Sequence, residues 1–388
     1  MTTPRTYLDF NATAPLRPEA RMAMLAALDA YGNPSSVHAE GRAARALVER
    51  SREAVAALVG ARADEVFFTS GGSEANNWVL AAGWDTILVS DIEHPSVLEP
   101  VGRGRARVEA LPVGAAGVVE ISEVAARALK DGPSLGVAVA ALQLANNETG
   151  VLQPVAELAA FARAHDLYTF TDAVQAAGRI AIDCEALDVD FLSLSAHKLG
   201  GPKGVGALII RGDTRLGALI AGGGQERRMR AGTENVAGIA GFGAAAEAAR
   251  RDLAAMHRLR ALRDRLERDV LRLTPAVRII GREAERLANT SCFALPGAEA
   301  ETLVIKLDLA GIAASSGAAC SSGKVAASHV LAAMGVAPDL AGAAIRISLG
   351  WASTEADVDA FVAAWSAIMR GAAPGRLGAN GQRATATA

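Results

Sequence analysis

Thr86-Ile-Leu-Val-Ser90, Gly136-Val-Ala-Val-Ala140, Tyr168-Thr-Phe-Thr171, Phe191-Leu-Ser-Leu194 and Val205-Gly-Ala-Leu-Ile-Ile210 are short runs of apolar and β-branched residues. Glu65-Val-Phe-Phe-Thr69 and Arg107-Val-Glu-Ala-Leu111 complete the series. Helical stretches separate them, such as Ala43 to Val59, with apolar residues at Ala44, Leu47, Val48, Val55, Leu58 and Val59, and Pro154 to Ala164. Runs that are apolar throughout suit strands covered by helices on both faces. The pattern predicts an α/β fold whose large domain has a mostly parallel central sheet.

Beyond Gly232 the pattern changes. One long Ala- and Arg-rich helix is expected through about Leu273, then shorter strands near Val277 to Ile280, Thr290 to Leu295 and Ile345 to Leu349, a smaller α+β domain. The expected division is 15–256 for the large domain and 1–14 with 257–370 for the small one. Residues 371–388 hold one large apolar residue, Leu377, too little to order a segment, so a disordered tail is expected.

The 388 residues are 51% hydrophobic and 21% charged, and 39 Lys and Arg against 42 Asp and Glu leave a net charge of -3. That balance excludes general disorder and gives no electrostatic footprint for nucleic acid or an anionic membrane. No stretch is apolar enough for a spanning helix, and the N-terminus lacks a signal-peptide pattern, so a cytoplasmic protein is expected. Cys184, Cys292 and Cys320 are too sparse for a disulfide framework, and the six histidines form no metal-ligand pair. No metal is expected.

The sharpest local signal is Ser193-Leu-Ser-Ala-His197-Lys198-Leu-Gly-Gly-Pro-Lys203, where a strand ends by delivering a lysine into a Gly/Pro turn. Sites in parallel sheets form at strand C-termini, and a desolvated lysine there can serve as a Schiff-base nucleophile. Asp172 of Phe170-Thr-Asp-Ala-Val-Gln175 ends the preceding strand, where a carboxylate can hold the ring nitrogen of pyridoxal phosphate protonated. Gln175 can reach the ring's phenolate oxygen. Thr69-Ser-Gly-Gly72-Ser73-Glu74 is a Gly-rich turn opening a helix, a ready phosphate site. His94, in Asp91-Ile-Glu-His-Pro, follows another strand end and can stack on a ring.

Cys320 lies in Ala314-Ser-Ser-Gly-Ala-Ala-Cys-Ser-Ser-Gly-Lys324, small residues that cannot bury its sulfur. Cys184 and Cys292, in strand-like surroundings, read as core residues. Arg346, alone in the apolar strand Ala344-Ile-Arg-Ile-Ser-Leu349, can clamp a carboxylate or close a structural ion pair. Asn146-Asn147 adds amide donors after the Gly136 strand. Taken singly, each feature also has an ordinary structural reading as a cap, a turn or a surface loop.

Together, Ser-Gly-Gly-Ser-Glu, Glu-His-Pro, Asn-Asn-Glu-Thr-Gly, Thr-Asp-Ala-Val-Gln, Ser-Ala-His-Lys, Arg-Ala-Gly-Thr-Glu-Asn and Ser-Ser-Gly-Ala-Ala-Cys, in this order, resemble the cysteine desulfurases of the NifS/IscS type. The resemblance runs from Tyr7 to about Met369. It implies a class V aminotransferase fold with pyridoxal 5'-phosphate on Lys198. Asp172 would pair the ring nitrogen, Gln175 touch the phenolate oxygen and His94 stack on the ring. Gly72, Ser73, Ser195 and His197 would hold the phosphate, with Thr233 reaching over from the partner of a homodimer. Asn147 and Arg346 would bind the carboxylate of L-cysteine. Lys198, His94 and Cys320 would carry the chemistry, with Cys320 accepting sulfur as a persulfide for an acceptor protein such as an iron–sulfur scaffold or sulfur carrier. A selenocysteine lyase or a class V aminotransferase on the same cofactor site is the nearest alternative.

Overall fold

The computed structural model describes residues 5–122, 136–212, 214, 216–316 and 328–371. A short strand, β1 (Thr6–Tyr7), opens the chain. The central sheet follows: β2 (Val66–Thr69), β3 (Thr86–Ser90), β4 (Arg107–Leu111), β5 (Ala138–Ala141), β6 (Tyr168–Asp172), β7 (Phe191–Ser195) and β8 (Gly206–Ile210). Their order across the sheet is β2-β8-β7-β6-β5-β3-β4. All pairings are parallel except those of β8, which runs against both β2 and β7. This is the mostly parallel α/β sheet expected, and β2, β3 and β5 to β8 are buried almost throughout. β4 differs, because it is the edge strand and exposes Arg107, Val108 and Ala110.

The connection out of β3 goes to β4 on one side, whereas β5, β6 and β7 extend from its other side. Chain paths therefore diverge between β3 and β5, where open α/β sheets form their ligand crevice. Helices cover the sheet. α1 (Pro18–Leu28) and α2 (Ala39–Val59) pack against helix Val236–Asp252, and α3 (Gly72–Leu80) lies against β7 and β8. α2 starts four residues earlier than its apolar periodicity suggests, because His38 caps it by accepting from the Gly41 N–H. It ends at Gly60, whose φ of 65° suits a residue without a side chain.

The remaining strands are β9 (Arg278–Ile280), β10 (Thr290–Ala294), β11 (Ile312–Ala313), β12 (Ser315–Ser316) and β13 (Ala344–Ser348). β12-β13-β10-β9 form an antiparallel sheet, and β1 pairs with β11 in parallel. Leu8 joins Leu262, Leu266, Val270, Phe293, Ile345, Phe361 and Trp365 in a second core. The single helix expected from Gly232 to Leu273 is in fact two, Val236–Asp252 and Met256–Leu273, separated by a 3-10 turn at Leu253–Ala255. The break is needed because the first half buries Ile239, Phe242, Ala245 and Ala249 in the main core, whereas the second buries Leu259, Leu262, Leu266 and Val270 in the other. Cys184 is the core residue expected, but it opens a short helix, Cys184–Leu187, capped by Asp183, instead of lying in a strand. The last helix runs Glu355–Gly371 and so takes in the first residue of the expected 371–388 tail, whose remainder, 372–388, lies outside the described residues.

Candidate active site

A cavity of about 470 Å³ opens at the C-terminal ends of β3, β5, β6 and β7. Gly72, Ser73, His94, Asn147, Asp172, Gln175, Ser195, His197 and Lys198 all line it. The sheet brings them together because each follows a strand end or opens the helix after one.

Lys198 closes a 3-10 turn directly after β7. Its ammonium donates to the carbonyls of Asn11 and Ala12, the latter at 3.0 Å. Burial, with the cations of Arg179 and Arg346 nearby, lowers its pKa to about 7 against the partial opposition of Asp172 and Asp9. The site therefore holds an amine that is readily deprotonated. His197 beside it accepts or donates at Thr13 Oγ1, 3.2 Å away, and burial pushes its pKa down to about 4.

Asp172 ends β6 and faces the same cavity. Its Oδ2 accepts from Asn76 Nδ2 at 2.8 Å and its Oδ1 from the Val174 N–H at 2.9 Å. These bonds fix the carboxylate while leaving lone pairs for a ligand. His94 caps helix Pro95–Arg103, and its Nδ1 accepts from the Ser96 N–H at 3.1 Å. That bond assigns the proton of the neutral ring to Nε2, and burial lowers its pKa, so the ring is neutral at physiological pH. Gln175 donates to the Asn11 carbonyl at 3.1 Å and accepts from Arg179.

The N-terminus of α3 is built for an anion. Gly71 precedes it without any side-chain cap, and Ser195 stands opposite Gly72. A Cβ on Gly72 would come 2.8 Å from Val174 Cγ2, so the turn is as narrow as glycine permits.

Two expected residues stand apart from this cavity. Arg346 lies behind the wall: its Nη1 donates to the Asn147 carbonyl at 3.1 Å and its Nη2 pairs with Asp9 Oδ1 at 2.8 Å. Thr233 is exposed on the loop after β8 and does not line the cavity. Cys320 lies outside the described residues.

Sequence reading did not single out Asn76, Ser96, Gln143, Arg179 or the turn around Asn11 to Thr13 as site residues. Asn76 carried a usable signal, a buried-side amide one helical turn beyond the Gly-rich loop. The N-terminal turn carried none, because nothing local shows that its carbonyls meet a lysine 187 residues away.

A half-buried lysine just beyond a strand end, a fixed aspartate on the neighbouring strand and an uncapped helix N-terminus define an α/β enzyme of the pyridoxal-phosphate class. The three groups match that cofactor's aldehyde, ring nitrogen and phosphate. The aminotransferase class-V family description matches residues 6–361, and the chain belongs to that family.

Similar proteins include a cysteine desulfurase of Cereibacter sphaeroides, 45% identical across 92% of this chain and 93% of that protein. The cysteine desulfurase IscS of Dictyoglomus turgidum is 41% identical across 91% of each. Among solved structures, a NifS-like protein from Rickettsia africae superposes with a TM-score of 0.86 at 34% identity, covering 94% of this chain and 99% of that one. SspA in complex with cysteine gives 0.76 at 28% identity, over 89% and 98%.

Proposed function

We propose that this enzyme is a pyridoxal-phosphate-dependent cysteine desulfurase, converting L-cysteine to L-alanine while its sulfur passes to Cys320. The observation that carries the reading is the placement of Lys198 Nζ in one cavity with Asp172, His94 and the open end of α3.

Lys198 would hold the cofactor's aldehyde, Asp172 its ring nitrogen and Gln175 its phenolate oxygen, with His94 against its face. Gly72, Ser73, Ser195 and His197 would hold its phosphate, joined by Thr233 from a second copy. Bound there, the cofactor supplies an electron sink for charge developing at the substrate's α-carbon. Asn76 keeps the Asp172 carboxylate aimed. Once freed, Lys198 Nζ takes up or returns a proton near neutral pH, oriented by the Asn11 and Ala12 carbonyls. His94 Nε2 is a second proton donor beside it. Asn147 and Arg346 would hold the substrate carboxylate.

The sulfur then moves between thiols. A bond forms between Cys320 Sγ and the substrate sulfur as the substrate's Cβ–S bond breaks, leaving a persulfide and, after protonation, alanine. The other two cysteines are unsuited: Cys184 and Cys292 are fully buried, and burial pushes both thiols up to about 12.

The finer assignments are proposals of the same reading. The division into 15–256 and 1–14 with 257–370 is supported by the pairing of β1 with β11 and by Leu8 in the second core. A homodimer is supported by α1, which exposes Met22, Leu25 and Leu28 next to exposed Tyr31. No described helix is long and apolar enough to cross a membrane, and a cytoplasmic enzyme serving an iron–sulfur scaffold or sulfur carrier fits the reading. The test is to supply L-cysteine and a reducing thiol to the cofactor-loaded enzyme and to Cys320→Ser. Equal alanine and sulfide from the wild type, lost in the variant, is expected. A yellow enzyme that forms neither product refutes the reaction, and a fully active variant refutes the role of Cys320.

A further inference from the structure

Arg346 enters the small-domain sheet as a cation in the middle of an apolar strand. Its residue is only 7% exposed, so its charge needs a fixed partner. Two of its three nitrogens have one. Nη2 pairs with Asp9 Oδ1 at 2.8 Å, Nη1 donates to the Asn147 carbonyl at 3.1 Å, and Nε is buried with no partner. A guanidinium held at two corners with its Nε–H unmet keeps hydrogen-bonding capacity for a further acceptor.

Asp9 is itself held from several sides. Ser315 Oγ donates to its Oδ2 at 3.2 Å from β12, which pairs with β13 with Ser315 opposite Arg346. Its backbone bridges Ser348 on β13, two residues beyond Arg346, and its carbonyl accepts from the Ala12 and Thr13 N–H groups. The same turn, two and three residues on, presents the Asn11 and Ala12 carbonyls to Lys198. Asn11 Nδ2 also donates to the Asn147 carbonyl that Arg346 grips. One N-terminal turn thus touches the substrate-side arginine, the substrate-side asparagine and the lysine.

We propose that Asp9 is a positioning residue that holds the Arg346 guanidinium in register with Asn147 and thereby sets the enzyme's affinity for the α-carboxylate of its substrate. The proposal rests on the reading of Arg346 as the carboxylate clamp. Asp9 does not touch substrate. It neutralises the buried cation and fixes its plane, so the guanidinium keeps one orientation against Asn147, which lines the cavity, and need not be reoriented when a carboxylate binds.

The test is equilibrium titration of the holoenzyme with L-alanine, which bears the carboxylate, and with ethylamine, which lacks it, following the cofactor's visible absorbance. Asp9→Asn keeps an acceptor and removes the charge. It is expected to weaken L-alanine binding about tenfold, the size of one charge-assisted hydrogen bond, and leave ethylamine within about twofold. With L-cysteine, KM should rise by a similar factor while kcat falls much less. Asp9→Glu, which restores the charge, should recover most of the affinity. Ser315→Ala, which frees one oxygen of Asp9, should weaken L-alanine by a smaller factor and carries the test if Asp9→Asn does not fold.

L-alanine affinity that is unchanged or tighter in Asp9→Asn overturns the proposal, as does equal loss for ethylamine. Arg346→Met separates the two readings. If it weakens L-alanine and Asp9→Asn does not, the role of Asp9 alone fails. If it also leaves L-alanine binding unchanged, the clamp itself is misassigned and the proposal falls with it.

Discussion

Lys198 offers a quantitative prediction through its titration. An unperturbed lysine, at 10.5, is neutral to about 0.03% at pH 7; with its pKa lowered to about 7, half is neutral. The nucleophilic fraction is thus larger by roughly 1,600-fold. The assay is stopped-flow absorbance of pyridoxal phosphate capture by the apoprotein from pH 5.5 to 9. Between pH 6 and 8 the rate should rise about tenfold and then level off, following a neutral fraction of about 9% to about 91%. A lysine left near its ordinary value would give about a hundredfold rise over the same interval with no plateau, and that result would refute the reasoning. Arg179→Gln provides the internal check. The Arg179 guanidinium is one of the cations that disfavour the ammonium, so its loss should move the midpoint upward. A midpoint that stays in place would mean that burial alone sets the value.

The same shift reaches stability. Between about 7 and 10.5 the unfolded chain binds the Lys198 proton that the folded chain has released, so the apoprotein should gain stability as pH rises through that window. Lys198→Met should then melt higher than wild type at pH 6, with the gap narrowing by pH 9. Glu226 receives both Arg52 nitrogens at 2.8 Å and the Phe68 N–H at 2.9 Å in a buried cluster, and Glu226→Gln should cost about 3–5 kcal/mol in urea denaturation. Asn76→Ala removes the bond to Asp172 and should lower kcat about tenfold or more, with a far smaller change in melting temperature. Gly206→Ala would place a Cβ 2.6 Å from Gly71 Cα and from the Leu194 carbonyl, neither of which can move aside. It should cost about 1–3 kcal/mol in thermal unfolding and slow cofactor capture by displacing the Gly71 turn.

The central sheet was legible because its strands are buried on both faces and so read as apolar runs with no helical period. All seven lie within two residues of the expected bounds at either end: Thr86–Ser90 and Arg107–Leu111 are as expected, and Phe191–Ser195 extends by one. The break at Leu253–Ala255 was not legible, since alanine and arginine continue through it with good helix propensity and only the two separate cores require it. β1, β11 and β12 are two residues each, too short for any alternation to show. Their pairing partners are far away in the chain, so only tertiary contact makes them strands.

The site divides along the same line. Residues that end a strand of the central sheet, Asp172 and Ser195, or follow one closely, Lys198 and His94, could be found because the sheet's geometry assigns them a common edge before any side chain is considered. Residues that act through backbone carbonyls could not. Asn11 and Ala12 meet Lys198 with their main-chain oxygens, which any residue would supply, so side-chain identity carries no trace of the contact. Asp9 is the exception within that turn, because a carboxylate is specific where a carbonyl is not. A buried arginine in an apolar strand requires a counter-charge, and the sequence shows the arginine plainly at 346. The parallel pairing of β1 with β11 and the bridge from Asp9 to Ser348 bring the N-terminal carboxylate to it. The order of dependence therefore runs from the four-stranded antiparallel sheet to the turn, and from the turn to Lys198 and Arg346 together. A change in how β1 seats should be felt in both substrate affinity and the pH of cofactor capture, whereas a change confined to the β6 end should be felt in turnover alone.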